Sequence, residues 1–231
     1  MSGRSPRWFT GIQYSYEANF ADNTWAHIIK ACQKKIIPTT WKVGDQKAMT
    51  IGGTDYLIDI IGINHDDYSD GSGKAPFTFQ MHDCYGDTKN MNSSSTNSGG
   101  WTSCAMRSTH LPAILALMPT EVQNGIREVN KLTSAGSLSS TINTTADNLF
   151  LLSEVEIFGS TGWSAAGEGT QYDYYKAGNS KVKKRNGSAD YWWERSPRVN
   201  FSQYFCVVHS AGTARSAGAS SAYGVAFGFC F

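Results

Sequence analysis

The sequence predicts an α+β fold of short antiparallel sheets with two or more helices. Two stretches carry apolar residues at helical spacing: Trp25, Ile28, Ile29 and Cys32 in one, Val122, Ile126 and Val129 in the other. Several short runs of β-branched and aromatic residues lie between clusters of Gly, Asn and Ser. Composition agrees, because charged residues make up 17% of the 231 where about 25% is ordinary. With 23 Gly, 7 Trp, 11 Tyr and 11 Phe, the chain suits a packed, loop-rich, partly β architecture and not a disordered one.

Residues 1–20 read as an N-terminal arm and residues 21–231 as one domain. The arm carries Trp8, Phe9, Ile12 and Tyr14, and either packs on its own domain or joins it to a second copy. Asp22 is placed to cap a helix running through Lys35, and Pro38 stops any continuation. A hairpin follows, with Gln46–Ile51 and residues 55–63 joined at Gly52-Gly53. The near-continuous apolar run at 56–61 marks the second arm as a central strand. Residues 64–75 read as a polar loop, Phe77–Met81 as a short strand and 86–100 as an irregular surface segment. Ser103 opens a helix that Pro112 breaks or kinks before Leu117. Pro119-Thr120 restarts a helix through Asn130, and residues 149–157 are a buried strand or a short helix before a loop at 162–169.

Three strands are expected in the last third, at 191–195, 204–209 and 222–231, joined by loops. The last alternates Tyr223, Val225, Phe227, Phe229 and Phe231 with Gly224, Ala226, Gly228 and Cys230. One face is bulky, and the other is small enough for a second layer to come close.

A net charge of +1 supplies no field for nucleic acid. The one basic cluster, Lys181, Lys183, Lys184 and Arg185, reads as a solvated loop between Gly178-Asn179 and Asn186-Gly187. Residues 1–11 lack the apolar centre of a signal peptide, and no stretch approaches the roughly 20 apolar residues of a membrane span. Five cysteines without metal-type spacing argue for reduced thiols over a disulfide framework.

Candidate chemistry is sparse. Asp66, Asp70 and Gly71 fit positions one, five and six of a calcium loop, but Tyr68 and Phe77 occupy two ligand positions, which excludes an EF-hand. His82-Asp83-Cys84 suits a polar strand end better than a metal or thiol site, and His110 suits a helix face. No Gly-x-Ser-x-Gly, Walker or His-Glu-x-x-His motif occurs. No metal, cofactor or catalytic residue is therefore expected.

Four separated strings occur in order: Asn97-Ser98-Gly99-Gly100-Trp101 with Ala105-Met106-Arg107, residues 150–159, Trp192-Trp193-Glu194-Arg195-Ser196-Pro197, and Gly224 to Cys230. Together they resemble a domain widespread in prophage and surface proteins of gut Firmicutes. That domain is similar in turn to the C-type-lectin-like fold of formylglycine-generating enzymes and of the variable proteins of diversity-generating retroelements. The resemblance implies a phage-tail or cell-surface adhesin whose C-terminal residues are rewritten to meet a bacterial protein or glycan receptor. It also implies display in symmetric multiples, with homo-oligomerisation as one route. Calcium-dependent sugar binding is not implied, since the Glu-Pro-Asn and Gln-Pro-Asp triplets of true C-type lectins are absent.

The residues of segment 191–223 fit a binding face on their own chemistry. Arg198, Asn200, Ser202, Tyr204, His209, Thr213, Arg215, Ser216, Ser220, Ser221 and Tyr223 alternate with framework-like Phe205, Val207 and Gly212. Tyr gives a large contact area at low entropy cost, while Ser and Gly give adaptable hydrogen bonding. These eleven are the expected ligand-binding residues of a non-enzymatic module. The same fold suggests one alternative, a copper-dependent oxidase holding its metal between Cys206 and Cys230, since thiolates suit Cu(I).

Overall fold

The computed structural model describes residues 15–231. A 3₁₀ turn, Phe20–Asp22, leads into helix α1, Trp25–Lys34. The cap of α1 is Thr24, whose hydroxyl accepts the His27 amide at 3.1 Å, and not Asp22. Buried Asn23 explains the shift: its side chain binds the carbonyls of Glu17 and Asn19, which ends the first turn and starts the helix afresh. Strands β1 (Gln46–Ile51), β2 (Thr54–Ile63) and β3 (Phe77–Met81) follow, and left-handed Gly52 and Gly53 make the β1–β2 turn.

Helix α2 (Gly100–Ser103) is separated from α3 (Leu111–Leu115) by a π-helical turn, Met106–His110. Pro112 therefore breaks nothing. It sits in the first turn of α3, where its missing N–H is not needed, and the wide π turn before it relieves the ring. Helix α4 (Thr120–Gly125) stops five residues short of Asn130. At Gly125 an added Cβ would lie 2.7 Å from Ile29 on α1, and Ile126 is already extended.

Val129 belongs instead to β4 (Val129–Gly136), which pairs with β5 (Ser139–Asp147) in a hairpin. Residues 149–153 are buried and lead into α5 (Glu154–Phe158). Ser153 and Glu156 form a capping box there, and left-handed Gly159 closes the helix. After α6 (Asp173–Lys176) comes the small hairpin β6 (Lys183–Arg185) and β7 (Ser188–Asp190), turned at Asn186-Gly187. The basic cluster is thus not a solvated loop. Lys183 is buried, and its ammonium donates to the carbonyls of Met81 and His82, while Arg185 pairs with Asp190.

Strands β8 (Trp192–Pro197), β9 (Tyr204–Val208), β10 (Ala214–Gly218) and β11 (Gly228–Cys230) complete the chain. Two sheets organise the molecule, one ordered β1-β2-β3-β11 and one β10-β9-β8, all pairs antiparallel. The mixed helix and short-strand architecture is as predicted. Strand β10 lies where a loop was expected, and ladder pairing in the last segment is confined to Gly228–Cys230. The segment at 86–100 is irregular but not superficial throughout, since Met91 and Asn97 are fully buried.

The first sheet packs under α1 through aromatic rings. Phe79 lies 5.2 Å from both Phe229 and Phe231, and Trp25 bonds the Ala48 carbonyl with its indole N–H. Both faces of the final segment are buried from Gly224 to Phe231. The small face does serve close approach: a Cβ at Gly224 would meet the Cys84 sulfur at 2.6 Å, and one at Gly228 the Phe150 ring at 2.9 Å.

Candidate functional site

The sheet β10-β9-β8 separates surface from support. On β8 every side chain is buried, Trp192 and Trp193 included, and on β9 Phe205, Cys206, Val207 and Val208 are buried. Of the eleven residues expected to bind, Asn200, Ser202, Thr213, Arg215 and Ser220 are exposed. Arg198, Tyr204, His209, Ser216, Ser221 and Tyr223 are half-buried. All eleven reach the surface, yet they do not converge on one pocket.

Five of them gather in two groups instead. In the first, the Arg198 guanidinium lies 3.9 Å from the centre of Phe201 and 4.3 Å from that of Trp163, and donates to Ser216 Oγ at 2.8 Å. Tyr204 stands beside it, 5.8 Å from Phe201. In the second, Tyr191 lies edge-on to His209 at 4.5 Å and tilted against Tyr223 at 5.3 Å. His209 is fixed by its own turn, where Nδ1 accepts the Ala211 amide and left-handed Gly212 returns the chain. Strand β10, with Arg215 opposite Val207 and Ser216 opposite Cys206, spans the distance between the groups.

Two residues essential to this surface were not singled out from the sequence. Trp163 supplies one of the rings beneath Arg198, and its carbonyl accepts the Val199 amide. Asn97 is fully buried and donates to the carbonyls of Phe201 at 2.9 Å and Tyr204 at 2.8 Å. Its carbonyl oxygen accepts the Ser137 amide at 2.8 Å, and its own backbone N–H reaches Ser202. Asn97 thereby ties the β4–β5 turn to the loop that carries Asn200 and Ser202. The only sequence sign was its place at the head of the Asn-Ser-Gly-Gly-Trp string.

Under the face lies a buried network of charges. Arg195 pairs with Glu156 and also donates to the carbonyls of Leu132, Leu151 and Glu168. Lys131 bridges Glu156 and Asp66, each at 2.8 Å, and reaches the Tyr172 hydroxyl. Burial alone would raise the Asp66 carboxyl, but the Lys131 ammonium outweighs it and holds it at about 2. Burial likewise opposes ionisation of Glu156, and Arg195 with Lys131 keeps it below the usual range. Glu154 accepts the amides of Gly162, Trp163 and Ser164, which anchors the loop carrying Trp163.

Glu194 is the exception. It is fully buried, neither carboxyl oxygen has a hydrogen-bond partner, and the Ser164 hydroxyl is equally without one. Burial, with Glu154 and Glu168 nearby, pushes Glu194 well above the normal carboxyl range. The group is held neutral.

The remaining candidates resolve into structural roles. Asp66 is engaged by Lys131, Thr78 and Tyr172, and Asp70 by Arg127, so the loose calcium set is already occupied by cations and donors of the protein itself. His82 Nδ1 lies 2.9 Å from buried Asp59, which raises its pKa through that hydrogen bond, and Asp83 accepts the Lys184 amide. His110 bonds Asn90. Cys206 stands on β9 and Cys230 on β11, in different sheets, each fully buried with its thiol pushed well up by that burial. Among the described residues no group of three or more His, Cys, Asp or Glu side chains is placed to hold a metal ion, and no helix is long and apolar enough to cross a membrane. The arm residues Trp8, Phe9, Ile12 and Tyr14 lie outside the described residues.

No curated protein and no solved structure matches this sequence. A family match does exist, and it runs from two residues before β3 to the end of β11, taking in the whole of the two-group surface and, Asp66 apart, the charges beneath it. Residues 75–230 match the family described as Domain of unknown function (DUF6273), well over half of the chain, and the chain belongs to that family.

Proposed function

We propose that this chain is a non-enzymatic receptor-binding module, an adhesin-type domain with a C-type-lectin-like scaffold carried on a phage tail or a bacterial surface. Residues 191–223 form its contact face, and the receptor is a bacterial surface protein or glycan. One observation carries the reading: all eleven residues reach the surface beside strands β8 and β9, where Trp192 to Pro197 and Phe205 to Val208 are buried, and the loop at 198–204 is fixed from outside the segment by Asn97 and Trp163. Such a division lets the surface change without disturbing the fold, which is what a diversified face requires. That the eleven line no single pocket suits an extended contact better than a small-molecule cleft.

The test is binding of fluorescent protein to a panel of bacterial cells. Arg198→Ala with Arg215→Ala, and separately His209→Ala with Tyr223→Ala, should each abolish capture while unfolding stays cooperative and the melting temperature falls by only a few degrees, about 2–4 °C per kcal/mol lost. Oxygen-dependent turnover of a cysteine peptide with Cu(I), lost in Cys206→Ala, would overturn the reading in favour of the oxidase. A near-repeat of the coding sequence for the C-terminal segment, beside a reverse transcriptase gene, would support diversification.

A further inference from the structure

Leu138 is the most exposed large apolar side chain among the described residues, at 63%. It sits at the tip of the β4–β5 hairpin with φ +68°, next to Ser137 at φ +49°. Two-residue turns of this kind normally take Asn-Gly, because a side chain in the left-handed region crowds its own backbone. A leucine held there against both sterics and water needs a reason.

The neighbouring loop of the contact face repeats the pattern. Asn200 is left-handed at φ +63°, and Phe201 is 46% exposed. Leu138, Asn200, Phe201, Ser202 and Gln203 line one cavity of about 190 Å³, room for a single large side chain. Asn97 fixes both walls, with Ser137 on one side and Phe201 on the other. The cavity is built from two parts of the chain held in register by one buried amide.

Charge selects what enters. No Asp or Glu occurs in residues 88–120, 129–146, 157–167 or 195–231, the segments that supply Asn97, the β4–β5 tip, Trp163 and the Arg198 group. Arg198 lies against the ring of Phe201, and Arg215 is exposed on β10. Around this cavity the face therefore offers cations and the apolar side chains of Leu138 and Phe201, with no carboxylate from these segments to take the hydroxyl hydrogens of a sugar. An acidic polypeptide complements it.

We infer that the β4–β5 tip belongs to the contact face, and that the partner is a protein segment presenting one large apolar side chain flanked by carboxylates. The side chain seats between Leu138 and Phe201, and its acidic neighbours meet Arg198 and Arg215. This inference rests on the receptor-binding reading and narrows its partner to protein.

A random nine-residue peptide library, panned on the full chain and on Leu138→Ser, tests it, with a glycan array run on both. The expected result is enrichment of peptides that carry an aromatic or large aliphatic residue beside Asp or Glu, binding Leu138→Ser and Arg198→Ala at least tenfold more weakly. Leu138 is solvent-exposed, so Leu138→Ser should fold, and an unchanged melting temperature checks that it does. Failure to enrich any peptide, enrichment of basic or wholly polar peptides, or equal binding to Leu138→Ser overturns the inference. Glycan binding that ignores Leu138 but is lost in Arg215→Ala also overturns it while leaving the receptor-binding reading standing. Cell capture that is insensitive to every substitution on the face removes both.

Discussion

The side-chain amide of Asn97 is hydrogen-bonded to the carbonyl of Phe201, 104 residues further along the chain. Asn97→Ala leaves the Ser137 amide without its Asn97 acceptor and takes one donor each from the Phe201 and Tyr204 carbonyls, which keep the backbone amides of Tyr204 and Arg198. A loss of about 2–3 kcal/mol is expected, from buried groups worth roughly 1–3 kcal/mol each with partial relaxation. Asn97→Asp should be worse despite equal size, because it turns an oxygen toward two carbonyls. Urea denaturation of the three proteins at pH 7 checks the order.

Surface and support should separate in stability. Thr213→Ala, Arg215→Ala and Ser220→Ala are expected to stay within roughly 0.5 kcal/mol of the parent. Phe227→Ala should cost about 3–5 kcal/mol, since Phe227 is fully buried. Arg198→Ala falls between, at about 1 kcal/mol, because its guanidinium covers two rings and bonds Ser216. Equal melting shifts across these variants would show that the face is part of the core.

Glu194 gives the fold a dependence on pH with a definite sign. Its carboxyl titrates well above its usual value of 4.5 because of burial first, then Glu154 and Glu168. Above pH 4.5 the unfolded chain gives up a proton that the native state retains, so stability falls as pH rises toward the native pKa. Below pH 4.5 the penalty vanishes. Glu194→Gln should therefore match the parent near pH 4, exceed it at pH 8 and flatten the decline between. Parallel curves for the two proteins would show that Glu194 has a charged partner after all.

Leu138→Gly removes a side chain from a left-handed position. A gain of about 1 kcal/mol in stability is expected. Tighter folding with weaker receptor capture would mark Leu138 as kept for contact; a loss of stability would mean its side chain packs on the hairpin.

How far the sequence foretold this molecule depended on how local the signal was. The β1–β2 hairpin was legible because Gly52-Gly53 meets the turn's demand for left-handed residues between two apolar runs. The β4–β5 hairpin was not, because its Thr, Ser and Asn carry no apolar period and its turn lacks glycine. Val122, Ile126 and Val129 keep perfect helical spacing, yet Val129 is claimed by Asp147 on β5 and bridged to Tyr68. The eleven face residues were legible as a composition, but the gathering of Arg198, Tyr204 and Ser216 apart from His209 and Tyr223 was not, since it depends on Trp163 and Asn97 from elsewhere in the chain. Nor did the sequence reveal that Arg195 and Glu156, 39 residues apart, would neutralise each other inside.

The sheet order β1-β2-β3-β11 sets when this protein can finish folding. Strand β3 is among the first to be synthesised, but the strand that covers its far edge lies some 150 residues later, and Tyr68 must wait for Phe231, 163 positions on. Contacts this distant close slowly, because a long loop must be ordered before they contribute. Until then Phe77 and Phe79 stand on an open strand edge, the sort of surface that pairs with another chain. Yield in a recombinant host should accordingly be governed by the speed and temperature of synthesis more than by the stability of the finished fold.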